Sequence, residues 1–209
     1  MSLSTQDSTP SDADETPPDG ALVAAARAGD ARAFDQLCQR YYPRIGLFLA
    51  RMVGNDEVGG ELTQETFLKA WQALPGLRDE ARFASWLYRI ATNIARDFQR
   101  RASLIRWLPW EEYQQQGATD AMSKAGPEQQ VEDAELLKQA LAQVSVVYRA
   151  CVILYVVEDL PQPQIAERLG IKPSYVSNYV SRGLAELRQG YLRLAAEPAP
   201  SEGKGKRHD

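Results

Sequence analysis

The chain has 209 residues, with 24 Lys plus Arg against 28 Asp plus Glu and a net charge of −4. No apolar run approaches the roughly 20 residues that cross a bilayer, and the N-terminus lacks the basic-then-apolar order of a signal peptide. The only histidine, His208, sits in a polar tail, and Cys38 and Cys151 lie far apart. That pattern excludes a Cys/His zinc site and reads as two buried free thiols in a reducing compartment, the cytoplasm.

The charge is unevenly spread. Residues 1–19 carry five acids and no Lys or Arg, whereas residues 20–101 carry 12 basic and nine acidic groups. Residues 107–135 carry seven acids and one lysine, and residues 136–193 carry seven basic and four acidic groups. Two mildly basic blocks are thus separated by an acidic one, which points weakly to a polyanion partner.

Residues 1–19, rich in Ser, Thr, Asp and Pro, have almost nothing to bury and are expected to be disordered. From Gly20 the pattern is helical. "ALVAAARAG" predicts a short helix ended by Gly29. Asp30 caps the next, which runs through Phe34, Leu37, Tyr41, Ile45, Phe48 and Met52, with Pro43 as a candidate kink. "NDEVGGELTQETFLKAW" predicts a third helix with a weak start, because Gly59 and Gly60 fall in its expected first turn. Pro75-Gly76 closes it. A fourth helix is expected from about Arg82 to Arg101. Residues 102–130 break the pattern and read as a flexible acidic linker, with a short amphipathic piece at "LIRWLPWEEY". Helical periodicity returns over residues 131–194, and residues 195–209 read as a second disordered tail. The expected class is all-α, in two small helical domains.

The fourth helix has two faces. Phe83, Leu87, Ile90, Ile94 and Phe98 form a core stripe. Trp86, Arg89, Asn93, Arg96 and Arg100 form a second stripe of aromatic, cationic and amide groups. Guanidinium groups hold phosphates, and an exposed indole can stack on an unpaired base, so this stripe suits single-stranded DNA.

"LPQPQIAERLGIKPSYVSNYVSRGLAELR" has the grammar of a helix-turn-helix: a short helix ended by Gly170, a turn, then a longer helix begun by Pro173 and Ser174. Val176, Val180, Leu184 and Leu187 are its expected core face. The opposite face offers Lys172, Ser174, Tyr175, Ser177, Asn178, Ser181 and Arg182, all able to bond bases or phosphates.

Together, "LVAAARAGDARAFDQLCQRYYPRI", "ELTQETFLKAWQALPGL", "RFASWLYRIATNIARDFQRR" and the helix-turn-helix stretch resemble the extracytoplasmic-function (ECF, group 4) sigma factors of bacterial RNA polymerase, in the family's order. The resemblance implies that residues 20–101 are sigma region 2, which docks on the β′ coiled coil and captures the −10 element. It implies that residues 131–194 are region 4, which reads the −35 element and meets the β flap. The core-docking face would fall on Glu61, Gln64, Glu65, Leu68 and Lys69. The −10 contacts would fall on the loop with Leu77 and Arg78, on Phe83, and on Trp86, Arg89, Asn93, Arg96 and Arg100. The partners implied are core polymerase, promoter DNA and, for control, an anti-sigma factor or a Ser/Thr kinase.

The chain departs from the family pattern in two places. Relatives carry basic residues where Ser177 and Tyr179 stand. They also carry an acidic tetrad, Asp-Ala-Glu-Asp, where this chain has Val58, Gly59, Gly60 and Glu61. Losing two acids is expected to weaken docking by about 1–3 kcal/mol. Other contacts compensating for the missing acids is one reading; the other, from the resemblance to a family subgroup that lacks the tetrad and is switched on by a kinase, makes Thr63 a candidate phosphosite whose phosphate would replace the missing charge.

No phosphate-cradling glycine loop, nucleophile elbow or metal cluster is present in the sequence, so neither catalysis, a metal nor a cofactor is expected. The alternative reading is a stand-alone helix-turn-helix regulator that binds duplex DNA without polymerase.

Overall fold

The computed structural model describes residues 17–105 and 128–196, and every regular element among them is helical. The expected tails and most of the acidic linker fall on residues 1–16, 106–127 and 197–209, outside the described residues.

Four helices form the N-terminal bundle. Helix α1 (Asp19–Arg27) ends at Ala28, and Gly29 turns the chain with φ of +100°. Asp30 then caps α2 (Ala31–Val53), its carboxylate accepting from the Arg32 and Ala33 amides at 2.9 and 3.4 Å. Pro43 sits on the exposed side of α2, where its missing N–H leaves the helix unbroken from end to end. Gly54 ends α2 in the left-handed region, φ +76°. Helix α3 (Asp56–Ala73) follows, and two 3₁₀ turns lead into α4 (Phe83–Ile105).

The start of α3 is stronger than the sequence suggests. The Asn55 side chain accepts from the Val58 amide at 2.9 Å, and Asp56 and Glu57 occupy the first turn, where the helix dipole favours acids. The glycines therefore lie one turn further in, and they differ from each other. Gly59 is buried against α2: a Cβ there would lie 2.6 Å from the Ala50 Cα. Gly60 faces open space. Gly59 is thus a point of close helix approach, whereas Gly60 is a bare surface position.

The C-terminal bundle comprises α5 (Glu128–Gln143), α6 (Val146–Val152) with one π-helical turn after it (Ile153–Val157), α7 (Gln162–Leu169) and α8 (Pro173–Ala196). Gly170, at φ +65°, ends α7. The Ile171 amide reaches back to the Ala166 carbonyl at 3.0 Å, which fixes the turn of the helix-turn-helix. The buried face of α8 is Val176, Val180, Gly183 and Gly190. Leu184, expected in that core, is 40% exposed instead. Gly183 takes the inward position because α6 comes too close for a side chain: a Cβ there would meet the Val152 Cγ2 at 2.6 Å.

The two bundles touch. One cluster of buried side chains runs from Leu22 and Phe48 through Tyr88 and Leu87 to Leu154, Ile165 and Val176.

Candidate nucleic-acid interface

The face of α4 opposite its core is open. Phe83, Leu87, Tyr88, Ala91, Ile94 and Ala95 are buried, while Arg89, Asn93, Arg96 and Arg100 are exposed and Trp86 is half-buried. These five share one ridge because steps of three and four residues return to the same side of a helix. Trp86 packs at a tilt on Phe83, ring centroids 5.9 Å apart. Arg100 lies 3.5 Å from Asp97, with both side chains exposed.

At the N-terminal end of this ridge is a cleft of about 360 Å³. Its walls include Leu77, Arg78, Arg82, Trp86 and Arg89, with Glu167 of α7 at one side. Asp79 shapes the loop by capping the Ala81 amide at 3.1 Å and pairing with Arg82 at 3.0 Å. The cleft thus combines an indole, three guanidinium groups and an apolar floor. That set can take an unpaired base with its phosphates.

Two expected contact residues are not available to a ligand as the sequence suggested. Phe83 is fully buried against Tyr41, ring centroids 5.5 Å apart, so it supports Trp86 rather than touching a base. Leu77 is 7% exposed and serves as cleft floor. Both point inward because the loop between α3 and α4 closes over the bundle.

Lys172, in the turn just before α8, and Ser174, Tyr175, Ser177, Asn178, Ser181 and Arg182 on α8 are all exposed. Tyr179 is half-buried between Tyr148 and Tyr175, with centroids 5.1 and 5.8 Å away. The Arg182 guanidinium donates to the Tyr148 hydroxyl at 3.3 Å. Tyr148, on α6, thus orients a candidate base reader, a role invisible in the sequence because the pair is 34 residues apart.

On α3, Glu61, Gln64, Leu68 and Lys69 are exposed and Glu65 is half-exposed, pairing with Lys69 at 2.7 Å. Glu57 stands one turn before Glu61 on the same ridge and is also exposed. Nothing in the sequence pattern singles it out. Thr63 lies elsewhere: it is fully buried, and its hydroxyl donates to the Gly59 carbonyl at 2.7 Å. Gly46 of α2 packs on that hydroxyl, where an added Cβ would sit 3.7 Å away. A phosphate does not fit between α2 and α3 in this conformation, so Thr63 is not an accessible phosphosite here. The reason is helical phase: Thr63 shares a side with Gly59, Leu62 and Thr66, not with Glu61 and Gln64.

Family comparison agrees with this geometry. The Sigma-70 region 2 family matches residues 37–105, and the Sigma-70 region 4 family matches residues 134–187. ECF RNA polymerase sigma factor SigE of Mycolicibacterium smegmatis is 32% identical over 191 residues, covering 88% of this chain and 72% of that protein. ECF sigma factor SigM of Mycobacterium tuberculosis H37Rv is 32% identical over 177 residues, covering 83% of this chain and 86% of its own length. The chain belongs to the ECF RNA polymerase sigma factors.

A solved structure of CnrH in complex with the cytosolic domain of CnrY is similar to this sigma factor, with TM-score 0.58, 25% identity, and coverage of 86% of this chain and 99% of that one. RpoE of Bartonella quintana, solved in complex with the anti-sigma factor NepR, shares the fold at 19% identity and TM-score 0.61, covering 78% of this chain and 99% of that one. In this sigma factor the region 2 match contains α3, α4 and the cleft, and the region 4 match contains the helix-turn-helix. The protein is an alternative sigma factor directing promoter-specific transcription.

Among the described residues no helix is long and apolar enough to cross a membrane.

Proposed function

We propose a division of labour among the three exposed surfaces, acting in the cytoplasm on nucleoid DNA. The α3 ridge, Glu57, Glu61, Gln64, Glu65, Leu68 and Lys69, docks on the β′ coiled coil of core polymerase. The α4 ridge and its cleft hold the non-template strand of the −10 element, with Trp86 stacking on an unpaired base, Asn93 bonding a base edge, and Arg78, Arg89, Arg96 and Arg100 on phosphates. The α8 face reads the −35 element in the major groove through Ser177, Asn178, Ser181 and Arg182. Lys172, Ser174 and Tyr175 hold the backbone.

The observation that carries this reading is the pairing of two unlike DNA-facing surfaces on one chain. A helix-turn-helix alone suits duplex DNA. The α4 ridge, with a half-buried indole beside guanidinium groups and a base-sized cleft, suits an unpaired strand. A stand-alone duplex-binding regulator has no use for it.

The docking ridge is less depleted than the tetrad comparison implies. The two missing acids fall at Val58 and Gly60, and Glu57, next to Val58, places a carboxylate one turn ahead of Glu61. Docking therefore rests on charges that are present in the unmodified chain. Run-off transcription tests the whole reading: core polymerase plus this chain should start at defined sites on genomic promoter fragments, and core alone should not. Equal, unspecific initiation with and without the chain would contradict it.

A further inference from the structure

Helix α1 precedes the stretch that matches the Sigma-70 region 2 family, residues 37–105, yet both of its ends are tied to residues around the cleft. In its last turn the Arg27 guanidinium donates to Glu80 Oε1 at 2.9 Å. Glu80 opens the 3₁₀ turn Glu80–Arg82, in the loop between α3 and α4. It does not line the cleft, but its neighbours Arg78, Asp79 and Arg82 do. Near the start of α1, Gly20 leaves room for Glu80: a Cβ on Gly20 would lie 4.0 Å from the Glu80 Cβ. The loop thus gives its other side chains to the cleft and Glu80 to α1.

The first residue of α1 supports the opposite wall. The Asp19 carboxylate accepts from the Arg40 guanidinium and from the Tyr41 hydroxyl, both on α2. Arg40 also donates to the Pro17 carbonyl at 2.9 Å. Burial and the hydrogen bond to Asp19 push the Tyr41 hydroxyl well above the usual tyrosine range, so it remains a donor. The Tyr41 ring lies edge-on to Phe83, and Phe83 in turn supports Trp86, the indole of the cleft. Between its two ends α1 buries Leu22, Val23 and Ala26. A helix of nine residues is marginal by itself in water, so these contacts are what fix it.

Such ties act on a ligand through preorganisation. Arg78 and Arg82 are long side chains on a loop. Holding that loop in place before a strand arrives removes part of the ordering cost of binding. Asp79 orders the loop from within, and the Arg27–Glu80 pair fastens it from outside. The two side chains of that pair are 35 and 40% exposed, so solvent screens it and its effect is modest.

We propose that α1 braces the −10 cleft. Arg27 is a positioning residue that acts through Glu80, and Asp19 is one that acts through Tyr41 and Phe83. Neither touches DNA. The proposal rests on reading the α4 ridge as the −10 surface.

The test is fluorescence anisotropy of holoenzyme, core polymerase with the full chain, on a labelled single strand of about 15 nucleotides. The strand is the non-template −10 segment of a promoter mapped by run-off transcription. Glu80→Lys removes an acid and adds a cation, which by charge alone tightens DNA binding. The brace predicts the opposite: about two- to fivefold weaker binding, matching Arg27→Ala. The swapped pair Arg27→Glu/Glu80→Lys should return to within about twofold of wild type. Core affinity in a competition pulldown and binding of a −35 duplex should stay unchanged throughout, which general loss of stability would not allow. If circular dichroism shows Glu80→Lys misfolded, Tyr41→Phe carries the test. It keeps charge and ring, and should bind the strand about twofold more weakly. Binding by folded Glu80→Lys at or above wild-type strength would overturn the brace, as would a swapped pair no stronger than Arg27→Ala; if Tyr41→Phe carries the test, wild-type binding by it would do the same. In each case strand binding by the wild-type holoenzyme leaves the −10 reading standing. A wild-type holoenzyme that starts at defined sites but does not hold the strand would remove that reading, and the brace with it.

Discussion

Gly59→Ala is expected to destabilise region 2, and Gly60→Ala to stabilise it, although the two glycines are neighbours in one helix. Each substitution gains about 1 kcal/mol of helix propensity. At Gly60 nothing lies within 4 Å, so that gain is realised in full. At Gly59 the new Cβ would sit 2.6 Å from the Ala50 Cα and 2.7 Å from its amide nitrogen, against roughly 3.4 Å for the closest comfortable contact. Backbone cannot rotate away as a side chain can, so α2 and α3 must part by about 0.8 Å. Overpacking of that kind costs about 1–3 kcal/mol, more where helices must shift together. The net expectation is up to about 2 kcal/mol lost at Gly59 and about 1 kcal/mol gained at Gly60. Urea denaturation followed by circular dichroism measures both. Alanine at this position without that cost requires wider spacing of α2 and α3. Equal stabilisation by the two substitutions would mean that α2 and α3 are spaced that way here too, and would refute the close-approach account.

Other consequences follow from the same geometry. Thr63→Glu places a charge in a fully buried site beside Gly46, so region 2 should lose more than about 3 kcal/mol; a stable Thr63→Glu protein with tighter core binding would reverse this conclusion. Charge reversal at Glu57 or Glu61 should each weaken core polymerase affinity about fivefold, read by a competition pulldown, and a neutral result at Glu57 would remove it from the docking ridge. Burial, with the Asp35 carboxylate adding, pushes the Cys38 thiol up from 9.0 to about 11, and burial alone pushes Cys151 up from 9.0 to about 12. The folded chain then keeps protons that the unfolded chain releases, so stability should fall as pH rises from about 9 to 12, seen as a declining melting temperature. At pH 8 a thiol reagent should label neither cysteine quickly in the native chain and both in denaturant.

What the sequence revealed was whatever repeats along one helix. The α4 ridge was legible because Trp86, Arg89, Asn93, Arg96 and Arg100 recur at helical spacing, and the structure leaves that side open. The helix-turn-helix was legible from Gly170 and Pro173, which punctuate it. Phase errors arose where a helix meets a close neighbour. Leu184 keeps the period of Val176 and Val180, yet α6 crosses so tightly at Gly183 that the leucine is turned outward. The same letter at residues 59 and 60 hid a packing requirement at one and an empty surface at the other. Phe83 entered the −10 contacts through the family resemblance alone, whereas its helical spacing with Leu87 and Ile94 already put it in the core stripe, where the structure has it. The contacts between the bundles were invisible for a different reason. Tyr88 and Glu158 are 70 residues apart, as separate helices would suggest no partner for either. Arg149 reads as an exposed charge, since nothing local announces three backbone carbonyls converging on it.

The claim that this chain opens DNA, and does not only bind it, is tested most directly by permanganate reactivity of thymines in a promoter complex with core polymerase. Wild-type protein should expose thymines in the −10 element, and Trp86→Ala and Asn93→Ala should lose that reactivity while the −35 footprint persists. A protected −35 site on DNA that stays fully paired with the wild-type chain would contradict it.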